Sequence, residues 1–146
     1  MLHRFRGIAA KIEGTYRTDS VPTAASDGIR VMDLAWSFAN VRRGTRQKTV
    51  TFGELSDVRA GELVEVTFKL PIQGSGTAGV AGEADPLLQI AGLNPTVVPS
   101  TSVTYALIET GIPSASLYLF EDGKRIRLVG CRGTLSGSLK LGDGYG

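Results

Sequence analysis

Cysteine occurs once and histidine once in the 146 residues, and that scarcity removes whole classes of chemistry. The single Cys131 cannot form an internal disulfide or supply a multi-cysteine zinc site. His3 stands in a segment without sustained periodicity, so a Ser-His-Asp or Cys-His unit built on it is not expected. Charge of one sign is also lacking. The 16 Lys and Arg against 14 Asp and Glu leave +2, too little for electrostatics alone to argue for nucleic acid. No apolar run approaches the ~18 residues that suggest a transmembrane helix, so no membrane partner is expected. The opening, Met1 to Ala10, is basic and then briefly apolar. It is too short for a signal-peptide core, and no export signal is read.

Glycine is abundant, at 19 residues, beside 42% hydrophobic and 21% charged residues. That is the composition of a globular domain of one core, rich in tight turns, as mostly-β chains are. The clearest periodicity runs from Glu62 to Gln73. Val64, Val66, Phe68, Leu70 and Ile72 share one parity, and Glu65, Thr67, Lys69, Pro71 and Gln73 the other. Successive side chains of a strand point to opposite faces, so this alternation predicts a strand with one buried and one wet face.

Residues 1–28 hold no such pattern. Thr15 to Gly28 is rich in turn and cap formers, and the whole segment reads as an ordered arm preceding a domain over 29–146. Ile29 to Phe38 is a predicted strand. Residues 40–61 then form a long polar connection, well above the usual hairpin length. Gly74-Ser75-Gly76-Thr77-Ala78-Gly79 spells G-x-G-x-x-G ahead of a predicted helix over about 83–91, with Pro86 in its first turn and Gly92 as its stop. A dinucleotide site is rejected, because that motif needs a strand buried on both faces and a repeated strand-helix-strand order. A flexible glycine-rich connector is the expected reading. Further strands are predicted over Ser102 to Ile108, Ala115 to Phe120, Lys124 to Val129 and Cys131 to Leu141, with Asp122-Gly123 as a hairpin turn. The expected class is mainly β: an antiparallel β-sandwich or barrel with one short flanking α-helix and a long inter-strand loop.

Chemistry is thinly represented. The carboxylates are dispersed without metal-loop spacing, and Cys131 lies on the apolar parity of its predicted strand, as a structural thiol does. Trp36 and Phe38 share a strand face, which ordinary aromatic packing explains. Arg42, Arg43, Arg46 and Lys48 concentrate cations in the long loop, suited to phosphate or to an acidic neighbour. No catalytic, metal or cofactor constellation is read, and no small-molecule substrate is expected. The pattern points to a non-enzymatic β-domain built for assembly.

Three stretches, in order, resemble the tail tube protein of long-tailed bacteriophages. Lys11-Ile12-Glu13 with Tyr16, Thr18-Asp19, Pro22-Thr23-Ala24 and Asp27 is similar to that family's N-terminal arm. Gly74-Ser75-Gly76 before Pro86-Leu87-Leu88 and Ala91-Gly92-Leu93 resembles its central strand, loop and helix. Ser116 to Lys124, then Leu128, Gly130 to Thr134 and Leu139, resemble its C-terminal hairpin and strand. The resemblance implies a virion protein, made in the bacterial host cytoplasm, whose hexameric rings stack into a tube. The lumen would hold a tape-measure protein and later pass DNA. Glu65, Thr67, Lys69, Thr134, Ser136 and Ser138 are then candidates for the lumen wall. Arg42, Arg43, Arg46 and Lys48 are candidates for contact between rings, and Tyr16, Asp19 and Pro22 for arm contacts between neighbours. The inner tube of a contractile injection or secretion machine shares the implied architecture, and a monomeric ligand-binding β-sandwich is the alternative of a different class.

Overall fold

The core forms where the sequence shows least alternation. A computed structural model describes residues 6–43 and 58–137, the side chains of 40–43 and 58–62 excepted. In chain order its elements are β1 (Arg6–Ile12), β2 (Gly28–Ile29), β3 (Met32–Arg43), β4 (Val58–Lys69), α1 (Asp85–Ile90), β5 (Leu93–Val98), β6 (Ser102–Leu107), β7 (Ala115–Glu121) and β8 (Lys124–Cys131). A four-stranded sheet runs in the order β2-β1-β7-β8, while β3-β4 and β5-β6 form two-stranded sheets. Every pairing is antiparallel. The fold is therefore mainly β with one short helix, and among the described residues no sheet closes on itself. Two compact units result: Met1–Arg30 with Leu70–Gly146, and Val31–Lys69.

In the first unit, β1 and β7 are the interior strands, with Ile8 opposite Leu119, Ala9 opposite Tyr118 and Ala10 opposite Leu117. The parity of Ile8, Ala10, Leu117 and Leu119 makes one apolar face. Helix α1 touches both strands and adds buried Leu87, Leu88 and Ile90. The parity of Ala9, Ser116 and Tyr118 makes the other face, closed by the segment between β1 and β2. With both faces covered, all of Ala115 to Leu119 is buried, and a period of two has nothing to report. Each fully buried Leu or Ile contributes about 1.5–3 kcal/mol. Residues 6–12, read as part of an arm, are thus an interior strand of the core sheet.

Other boundaries moved for local reasons. β4 ends at Lys69 rather than Gln73, just before Leu70-Pro71, where proline has no N–H to give a ladder. At the far end of the β3–β4 ribbon, pairing continues through Arg43 and Val58, because a backbone ladder does not need apolar side chains. The expected connection over 40–61 is shortened accordingly, and 44–57 lie outside the described residues. β5 went unread because Asn94 and Pro95 interrupt its pattern, yet a two-stranded sheet leaves every strand with an edge that tolerates proline. The strand expected over Cys131 to Leu141 does not form over 132–137. Its apolar parity holds Gly133 and Gly137, which have nothing to bury, and Leu135 is half exposed. The Asp122-Gly123 turn does form, with φ of 43° and 80°, the left-handed pair a two-residue hairpin turn requires. Gly92, at φ 94°, stops α1 where expected.

The glycine motif has a packing explanation. Gly79 lies at φ 73°, and a Cβ there would stand 2.5 Å from Ser100 N and 2.6 Å from Val98 O in the β5–β6 turn. The one Ser75 hydroxyl proton has Val80 O (2.7 Å) and Thr77 O (2.9 Å) as acceptors within reach, closing the loop on itself. The expected flexible connector is instead a close backbone approach. Gly79→Ala is expected to lower stability by about 1–3 kcal/mol through strain and overpacking. Gly74→Ala, with nothing within 4 Å of its Cβ position, is expected to stay within about 0.5 kcal/mol. Urea denaturation of both variants checks the contrast.

Candidate assembly interface

The twelve-residue strands β3 and β4 make a ribbon roughly 40 Å long at ~3.4 Å per residue. Trp36 faces Val66 and Phe38 faces Val64 across the ladder, while Ser37 faces Glu65 and Ala35 faces Thr67. One side of the ribbon is therefore an apolar row, to which Phe68 also belongs, and the other is short and polar. Trp36 and Phe38 meet edge to face, with centroids 5.3 Å apart. A bulge between Met32 and Ala35 sets Asp33 at φ 52°, and its carboxylate ion-pairs Lys69 at 2.6 Å.

The apolar side was expected to be buried. It is not. No side chain from Met32 to Ala39 or from Leu63 to Lys69 is buried, and Phe38 keeps 59% of its surface exposed. Alternation places apolar groups on one side, but burying them requires a second layer, and a lone two-stranded hairpin is marginal in water. Glu65, Thr67 and Lys69 do share the polar side, all exposed. Thr134 and Ser136 lie in the exposed, non-strand stretch after β8, in the other compact unit. Ser138 lies outside the described residues, as do Arg46 and Lys48. Arg42 and Arg43 end β3, and only their backbone is described.

The sequence reading missed a carboxylate site at the end of β1. Glu13, 7% exposed, accepts hydrogen bonds from Ser114 Oγ (2.6 Å), Ser116 Oγ (2.8 Å), Gly130 N (2.7 Å) and Arg17 N (2.9 Å). Ser114, Ser116 and Tyr118 share the parity of β7 that faces this loop. Ser20 N in turn donates to Ser116 Oγ, and Tyr118 Oη to Asp19 Oδ2 at 2.6 Å. Residues 13–27 are thereby clasped onto their own sheet. Two of the three residues read as contacts between neighbours serve inside the chain. Asp19 is engaged by Tyr118, the Val21 N–H and Arg127, and Pro22 is buried. Tyr16 remains 59% exposed. The usable sequence signal was a carboxylate just after a short apolar run, facing alternate serines on a distant strand.

Burial alone would raise the Glu13 carboxyl, but hydrogen bonds from Gly130, Ser114, Ser116 and Arg17 together hold it below its ordinary 4.5. The Tyr118 hydrogen bond, then that of Val21, holds Asp19 below the usual carboxylate range. Burial, then the charge of Glu13, pushes the half-buried Cys131 thiol up to about 11, far from the thiolate a nucleophile needs. A cleft of about 390 Å³ lies between the glycine loop, α1 and β6, with Asp85 and Tyr105 among its lining residues. Tyr105 Oη and Gln89 Nε2 each donate to one Asp85 oxygen. Burial, then the hydrogen bond to Asp85, pushes Tyr105 up to about 12, so its hydroxyl keeps its proton near neutrality. Among the described residues there is no three-residue metal-ligand cluster, and no helix is long and apolar enough to cross a membrane.

A lowered pKa in the folded state means that folding favours the ionised form. The Glu13 contribution is therefore full above 4.5 and is lost as pH falls below it, through the folded value. Glu13→Gln is expected to cost about 1–3 kcal/mol at neutral pH by leaving donors facing an amide. It is also expected to flatten the acid limb of stability, measured by denaturant unfolding at stepped pH. An unchanged acid limb would remove Glu13 from this role. No protein-family model matches the chain, and neither a curated protein nor a solved structure does.

Proposed function

We propose that this chain is a structural virion subunit, the tail tube protein of a long-tailed phage, whose copies join into hexameric rings that stack into a tube. The observation that carries the reading is the β3–β4 ribbon. Its apolar row of Phe38, Val64, Val66 and Phe68 is left unburied in the single chain, and each of its strands pairs only with the other among the described residues. Neighbouring ribbons that pair edge to edge would close the sheet and join the apolar rows into one continuous surface for a second layer to cover. The polar side, with Glu65, Thr67 and Lys69, would then line the lumen. Six ribbons presenting few unpaired cations would let DNA slide, since the Lys69 charge is matched by Asp33 and strong phosphate binding would stall it. The tape-measure protein is the expected earlier occupant, and Arg42, Arg43, Arg46 and Lys48 are the proposed contacts between rings. The inner tube of a contractile machine would use the same ribbon. A sheath gene beside this one favours it.

The cleft under the glycine loop favours a second reading, a monomeric ligand-binding module. The two readings separate in one experiment. Negative-stain electron microscopy of the purified protein is expected to show rings or tubes with a regular repeat. Phe38→Lys, which sets a charge in the exposed apolar row, is expected to leave folded subunits that do not polymerise. Solitary particles at high concentration, by microscopy and by scattering, would refute assembly; saturable ligand binding by such particles would favour the module.

A further inference from the structure

A second surface lies within the other unit, and it does not rest on ring assembly. The register of Tyr118 with Arg127 and of Phe120 with Arg125 puts both arginines on the clasp side of β8. Arg125 Cζ lies 5.0 Å from the Tyr118 ring centroid. Gly130, at φ 68°, lets the clasp lie directly on the strand: a Cβ there would stand 2.8 Å from Arg17 Cγ and 3.3 Å from the Tyr16 ring. Arg132 Cζ lies 5.3 Å from the same Tyr16 centroid. Arg17, Arg125, Arg127 and Arg132, far apart in sequence, thus converge on one face and are all exposed. Asp19 neutralises Arg127 at 3.3 Å, and Glu13 is buried beneath with its own four donors. Arg17, Arg125 and Arg132 form no ion pair among the described residues.

We propose that this face, formed by the clasp and β8, binds the phosphodiester backbone of a nucleic acid through Arg17, Arg125 and Arg132. All the converging cations are guanidiniums, whose planar donor fork matches phosphate oxygens. Two of them are carried against tyrosine rings, which orders the side chain without using up its N–H donors. A second copy is the poorer partner. Among the described residues, the exposed carboxylates without a described partner are Glu65, Glu109 and Asp122, each on a separate segment. The rings are already covered by arginine, so recognition is of the backbone and not of base sequence.

The test is fluorescence anisotropy with a short labelled oligonucleotide of mixed sequence, as duplex and as single strand, across a salt series. For the duplex, three phosphate contacts give a log–log salt slope of about −3 and a loss of about 40-fold between ~50 and ~200 mM salt. The double variant R125A/R132A, whose side chains are exposed and whose fold is checked by its melting curve, is expected to weaken binding at least tenfold. Its slope is expected to fall to about −1. Arg30→Ala, which removes a cation already paired with Glu83, is expected to leave binding unchanged. Absence of binding at low salt, an unaltered slope in R125A/R132A, or equal binding of poly-glutamate would each overturn the assignment.

Discussion

Four donors converge on the Glu13 carboxylate, and the architecture of the larger unit depends on their doing so. The four-stranded sheet needs both faces of β1 and β7 covered. Helix α1 supplies apolar cover with Leu87, Leu88 and Ile90. The opposite face carries Ser114, Ser116 and Tyr118, whose hydroxyls cannot be buried without partners. Glu13 and Asp19 are those partners. A carboxylate is acceptor-only when ionised and can fill its lone pairs with N–H and O–H donors, which also keeps it charged despite burial. The loop over 13–27 is consequently part of the core's second layer.

The ribbon is the opposite case. Its strands obey the same alternation rule, but no described ribbon side chain is buried, and its apolar row is left for something else to cover. The two units divide the labour by physical necessity: one buries its apolar surface within the chain, and the other presents a row that is satisfied only by added layers or added strands. An exposed edge beside an exposed apolar row is an aggregation hazard for a monomer, and the proposed closed self-association would turn the same hazard into an interface. The clasp surface adds a third element, cationic and wet, on the unit whose core is already complete.

Legibility tracked the number of covered faces. The ribbon's alternation from Val64 to Phe68, the Asp122-Gly123 turn and the Gly92 helix stop were all visible, because each is a local rule of backbone geometry. β1 was not, since Ile8-Ala9-Ala10 is buried on both faces and shows no period. The Cys131 to Leu141 run looked like a strand only because glycine was counted on its apolar parity; Gly133 and Gly137 bring no side chain to hold it. Glycine misled in the other direction at Gly79, where a stretch read as a flexible connector is a close approach between two backbones. The candidate residues Glu65, Thr67 and Lys69 did fall on one exposed side, as alternation required.

The sequence by itself determined the mainly-β class, the two-sidedness of the ribbon and the positions of its sharpest turns, because φ/ψ preferences and side-chain period act between near neighbours. Only the tertiary structure decided which sides were covered. Glu13 meets Ser114 and Gly130 across 101 and 117 positions of chain, and the arginines of the clasp face are brought together from both ends of the sequence. Contacts of that range are selected by the shape and satisfaction of the whole packed unit, and no local pattern encodes them.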